Sequence, residues 1–168
     1  MPNVGAPEFT WPIRVYYEDT DFSGVVYHAG YLRFLERART EWLRAQGYSQ
    51  ERLQADGGVA FVVAHIAIAF RRPARMDDEL LASVEVAMVR HASLEFSQTL
   101  SRRADPAALL VEARVRVACV EATSFRPRAL PERLLRLRPG LAGSAKAAAV
   151  PNDANQPVTA AVEASRKQ

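Results

Sequence analysis

One cysteine, Cys119, is all that the 168 residues contain. No intramolecular disulfide can form, which suits a reducing compartment such as the cytosol. No apolar run approaches the ~20 residues that a membrane-spanning helix needs. Met1 to Thr10 has neither a basic n-region nor an apolar h-region, which argues against a signal peptide. A dense lysine block is also missing: the net charge of +3 comes from scattered arginines. That distribution gives no footprint for nucleic acid, though it would serve a small phosphate-bearing anion. The three histidines, His28, His65 and His91, lack ligand spacing, and Cys119 falls among apolar neighbours, so no metal site is expected. No internal repeat is visible.

What is present fits one soluble globular domain. Hydrophobic residues make up 49% and charged residues 24% of the chain, a balance that excludes disordered and fibrous classes. We expect a flexible N-terminus over 1–10, a folded domain over 11–138 and a disordered Ala- and Pro-rich tail over 139–168, where aromatics vanish and no apolar period survives. Within the domain, Trp11 to Glu18 alternates as a strand does. Tyr31 to Gln46 carries Tyr31, Phe34, Leu35, Ala38 and Trp42 at helical spacing, with Gly30 as its N-cap and Gly47 closing it. After a short polar piece with Ser49 as a possible cap, four strands follow. These are Val59 to Phe70, apolar enough to be covered on both faces, then Leu80 to Val89, Ser93 to Leu100 and Val111 to Cys119. Arg128 to Leu137 reads as a short terminal helix. The order predicts an α+β domain with one long helix on an antiparallel sheet. A single helix cannot cover so broad a sheet, so self-association is expected.

The chemistry concentrates between Tyr16 and His28. Glu18, Asp19, Asp21, Gly24 and His28 stand directly before the helix, where unpaired N–H groups and the positive end of the helix dipole favour negative charge. A carbonyl resting there could be attacked by a neighbouring carboxylate, or by a water that the carboxylate deprotonates, with its oxyanion held by the helix. On the residues alone, Asp19 and Asp21 read equally well as turn and cap residues. His28 has a second reading too, as a hydrogen-bonded residue at a helix entry with no chemical role.

The run "YYEDTDFSGVVYHAGYLRFLERAR" resembles the signature of the 4-hydroxybenzoyl-CoA thioesterase-like hotdog proteins, in particular the Tol-Pal-associated YbgC-like acyl-CoA thioesterases. The resemblance continues through "RRPARMDDELL", "RHASLEFSQTL" and "FRPRALPERL", and so covers about Trp11 to Leu137. It implies a hotdog fold, with a long central helix wrapped by about five antiparallel strands and paired into a homodimer or homotetramer with active sites at the interface. It implies acyl-CoA hydrolysis without a cofactor, in which Asp21 is the catalytic carboxylate. The His28 N–H would face the thioester oxygen and its imidazole would assist. Tyr17 and Tyr27 would shape the acyl pocket, Gly24 would allow close backbone approach, and Arg90 and Ser93 would meet the coenzyme A phosphates. Gly30 departs from the pattern, since relatives often carry Asn or Ser there.

Acyl carrier protein and Tol-Pal components are the further partners that the resemblance implies, with a cytoplasmic location that includes peripheral attachment at the inner membrane. A hotdog hydratase would need a His paired with an Asp or Glu on another segment, and none is seen. An interaction module of the envelope or phospholipid-synthesis machinery is the reading from another class. Asp77 and Asp78 read as structural, and Glu36 with Arg39 or Arg37 with Glu41 as pairs on the helix surface.

Overall fold

A computed structural model describes residues 9–137. The expected tail over 139–168 lies outside them, as does the expected flexible N-terminus apart from Phe9 and Thr10, which form the first rungs of a strand. That strand, β1, runs Phe9–Arg14 rather than Trp11 to Glu18, because Tyr17–Asp19 turns into a single 3-10 turn. The remaining elements are α1 (His28–Ala45), α2 (Gln50–Gly57), β2 (Val59–Phe70), β3 (Glu79–Arg90), β4 (Ser93–Arg102), β5 (Asp105–Glu121) and α3 (Glu132–Leu135). The five strands form one antiparallel sheet in the order β1-β3-β4-β5-β2. This is the expected α+β hotdog architecture.

The helix forms because apolar residues recur every three or four positions and fall on one face. Tyr31, Phe34, Leu35, Ala38, Trp42 and Leu43 are all buried. They meet Leu80, Ala82, Val84 and Val86 of β3 and Leu94, Phe96 and Leu100 of β4, whose alternation points one side of each strand inward. The Trp42 and Phe96 rings meet edge to face at 5.1 Å. Tyr31 packs its ring 5.6 Å from Phe70, and its hydroxyl accepts a buried 2.9 Å hydrogen bond from the Ala74 N–H. That bond joins the first turns of α1 to the connection between β2 and β3. No helix among the described residues is long and apolar enough to cross a membrane.

Several expectations change. The helix starts at His28 with Tyr27 as N-cap, not at Gly30, and Tyr27 supplies no side-chain cap. Gly30 lies inside the first turn, where an added Cβ would approach the Val26 side chain to 3.1 Å. The polar piece after Ser49 is a helix, α2, and the Ser49 hydroxyl caps it by accepting from the Arg52 N–H at 3.2 Å. Met88 leaves the buried face of β3 because a bulge between Val86 and Met88 shifts the register. β2 is not covered on both faces. It is a sheet edge, paired only with β5, with Val63 49% and Phe70 50% exposed beside exposed Ala64 and His65.

The two edges differ. β1 contains Pro12, which cannot donate to a further strand. β2 presents twelve residues with no proline and no Asp, Glu, Lys or Arg.

Candidate active site

Thr20 and Val26 form an isolated bridge, and the Asp21 N–H donates to the Val25 carbonyl at 2.9 Å. Between them the Gly24 N–H donates to the Asp21 carbonyl at 2.9 Å, and Gly24 has φ 76°. This is a tight hairpin loop whose closing position requires positive φ. An added Cβ at Gly24 would meet no atom within 4 Å, so within one chain glycine serves the backbone angle there and not a close approach. The hairpin is tied to the rest of the sheet by a bridge between Val25 and Arg75 and by the Val26 N–H donating to the Ala74 carbonyl at 2.8 Å.

The two aspartates of this loop have different surroundings. Asp19 is buried, and its carboxylate accepts from the Tyr16 N–H at 2.9 Å and from Arg33 at 3.4 Å. Its carbonyl accepts from the Tyr27 N–H at 3.0 Å. Asp19 therefore knots the loop to the helix entry. Asp21 is exposed, and its Oδ1 accepts from both the N–H and the hydroxyl of Ser23, which leaves Oδ2 without a donor among the described residues. The Ser23 hydroxyl, then the Ser23 N–H, hold the Asp21 carboxyl below the usual carboxylate range, with smaller help from Val25 and His28. The group is ionised at neutral pH.

Directly after the hairpin, the N–H groups of His28 and Ala29 begin α1 without an acceptor among the described residues. The His28 ring is exposed and packs against the Tyr27 ring at 4.3 Å. Tyr17 is 80% exposed and Tyr27 48%. The loop thus places a free carboxylate oxygen, two free helix N–H groups, a histidine and two open aromatic faces on one short stretch. A carbonyl polarised by those N–H groups and attacked from the carboxylate side is the chemistry that such a set allows.

Arg90 and Ser93 do not join this set within one chain. They flank the turn at the far end of β3, about 35–40 Å along the strand from Glu79. Glu79 lies at the end where β1 leaves for the loop. Arg128 donates to the Gly57 carbonyl at 2.6 Å and so secures α2, while Asp78 holds the Arg75 N–H and Arg102. Both roles are structural. Burial pushes the Cys119 thiol up, which makes it a packing residue and no nucleophile. Neither expected helix-surface pair forms: Glu41 pairs with Arg44, and Arg37 lies over the Phe34 ring. Arg39 is buried, with Nη1 donating to Gln98 Oε1 at 2.8 Å.

A sequence model described as the Thioesterase-like superfamily matches residues 15–156, and the chain belongs to that family. It is a hydrolase of the thioesterase class. Among its relatives are the acyl-CoA thioester hydrolase YbgC of Escherichia coli, 48% identical over 127 residues (76% of this chain, 92% of the relative), and the acyl-CoA thioesterase YbgC of Haemophilus influenzae, 46% identical over 124 residues (74% and 89%). Among solved structures, a probable thioesterase from Bartonella henselae matches with TM-score 0.68 and 38% identity, covering 73% of this chain and 98% of that one.

Proposed function

We propose that the chain hydrolyses acyl-CoA thioesters to the free acid and coenzyme A at the junction of the Asp21 hairpin and α1. The observation that carries this reading is an ionised carboxylate with one free oxygen, in a hairpin that runs directly into an uncapped helix N-terminus. The thioester oxygen accepts from the His28 N–H. Asp21 Oδ2 takes a proton from water as the water oxygen bonds to the carbonyl carbon, or attacks that carbon itself. In either route the helix start holds the tetrahedral oxyanion and the C–S bond breaks. After general-base attack the thiolate leaves with the proton that Asp21 took from water. After direct attack it leaves as the thiolate, and water then cleaves the acyl–Asp21 anhydride to free the acid and restore the carboxylate. Tyr17 and Tyr27 flank the acyl group, and the His28 imidazole positions the water.

The same reading makes the working unit a homodimer. A long, apolar, uncharged edge such as β2 is the kind of surface that pairs with another strand. Two copies related by a two-fold axis pair their identical edges antiparallel. Because Tyr31 ties the start of α1 to Phe70, this pairing carries each helix start toward the Val59 end of the other copy. Arg90 and Ser93, which no single chain brings to Asp21, then meet the coenzyme A of the partner's site.

Asp21→Asn tests the chemistry. Asparagine keeps the Oδ1 acceptor for Ser23 and so the loop, but removes the charge and the base. We expect kcat to fall by at least about 10²–10³, with an unchanged elution volume and melting temperature. Near-normal hydrolysis by this variant would refute the assignment.

A further inference from the structure

A cavity of about 100 Å³ lies beside the C-terminal half of α1, away from Asp21. Phe61, Val63 and Phe96 line its sheet side, and Glu36, Arg39 and Thr40 line its helix side. Binding sites for small molecules combine such an apolar wall with a few placed polar groups. The polar group of interest is Arg39. Arg39 is 9% exposed as a residue, no carboxylate lies within salt-bridge distance of it among the described residues although the nearby Glu36 favours its charge, and its one protein acceptor is the neutral Gln98. Gln98 is itself fixed, since its amide donates to the Leu35 carbonyl at 3.2 Å and the Ser83 carbonyl at 3.4 Å. Burying a cation with so few acceptors is costly. The remaining N–H groups of Arg39 are left for an acceptor in the cavity.

We propose that this cavity holds the distal part of the acyl group and that Arg39 selects acyl chains carrying a hydroxyl or keto oxygen there. The inference rests on the proposed thioesterase reading and its dimer. In one chain, Arg39 stands eleven residues along α1 from His28, about 16 Å. Antiparallel pairing of β2 instead brings the partner's helix start beside Phe61 and Val63, the strand residues at the cavity. The acyl chain of a thioester held at that start then enters the cavity of the facing copy. Thr40 donates to Glu36 Oε1 at 2.7 Å, so the helix side also offers a carboxylate. A hydroxyl can accept from Arg39 and donate to Glu36, whereas a second carboxylate would be repelled. Cavities of ~150 Å³ admit benzene, so a chain of a few carbons fits this one.

The test compares kcat/KM for butyryl-CoA with 3-hydroxybutyryl-CoA, and for hexanoyl-CoA with 6-hydroxyhexanoyl-CoA. We expect the hydroxylated member to be favoured about tenfold or more at one of the two lengths. Arg39→Met should bring that ratio to about one without changing the elution volume. Arg39→Lys, which keeps the charge but loses the planar fork, guards against misfolding and should lower the ratio in the same direction. A ratio of one at both lengths in the parent chain, or one that survives both substitutions, would overturn the inference. Should no acyl-CoA be hydrolysed, the thioesterase reading fails by itself. The ratio is then read as Kd by calorimetry on Asp21→Asn, where equal affinities overturn the cavity assignment and an Arg39-dependent preference upholds it.

Discussion

At its first turn α1 leaves its N–H groups open, without a side-chain cap and without an acidic residue to complement the dipole. One turn later the same helix pairs several of the polar groups it buries: the Tyr31 hydroxyl takes the Ala74 N–H, and further along Arg39 meets Gln98 and Gln98 meets the Leu35 carbonyl, while the buried Trp42 indole N–H has no partner among the described residues. The contrast separates two uses of polar groups. Tyr31 and Gln98 find partners in the body of the molecule because an unpaired buried group costs about 1–3 kcal/mol. The N–H groups at the start can stay open because water reaches them, and an open donor is what a developing oxyanion needs. Substitutions at the two places should therefore damage different properties.

Asp21→Asn has the largest expected effect, a loss of turnover of at least about 10²–10³ with stability kept. Next comes the edge. Val63→Asp places a charge in the middle of exposed β2, where it should convert a dimer to a monomer by light scattering and take hydrolysis with it. A monomer of full activity would show that the helix start works without its partner. Tyr31→Phe reverses the pattern of Asp21→Asn. It strands the buried Ala74 N–H, so denaturant unfolding should show a loss of about 1–3 kcal/mol. Because Tyr31 also ties the helix start to Phe70, a stability change with kcat held within a few-fold would show that the open and paired regions are separable.

How much of this could be read in the residues depends on what marked each feature. The bounds of β2 were legible because a polar stretch, glycines and Arg71-Arg72-Pro73 enclose an unbroken apolar run. Its edge position was not, since a strand left uncovered in one chain and a strand covered on both faces have the same composition. The start of α1 was misplaced because His28, Ala29 and Gly30 carry neither a cap nor an acidic residue, and that lack is the feature that leaves the N–H groups open. α2 shows no apolar period because it fully buries no residue and only Leu53 packs against the core. Arg39 did carry a signal. It lies four residues after Leu35 and three before Trp42, within the buried stripe, and its charge alone argues for the helix surface. In the loop, the three carboxylates were visible but their roles were not. Asp19 and Asp21 are distinguished by burial and by Ser23, which no spacing reveals.

Ser23 gives the smallest effect and the finest test of the open region. Its hydroxyl and N–H are the main reasons that the Asp21 carboxyl titrates below its ordinary range. A depressed pKa means that the ionised form persists to lower pH, so the acid limb of kcat/KM should lie below the range of a free carboxylate. Activity should be lost only as pH falls through the folded value. Ser23→Ala removes the hydroxyl donor but keeps the backbone one, and the limb should move up toward the ordinary carboxylate range. At pH 7 both forms are ionised, so turnover there should be almost unchanged. That pairing of results separates Ser23 from a residue that merely shapes the loop: a structural role would lower the rate at every pH and leave the limb in place. If Ser23→Ala leaves the limb unmoved while Asp21→Asn still abolishes turnover, the group that titrates in that limb is not Asp21.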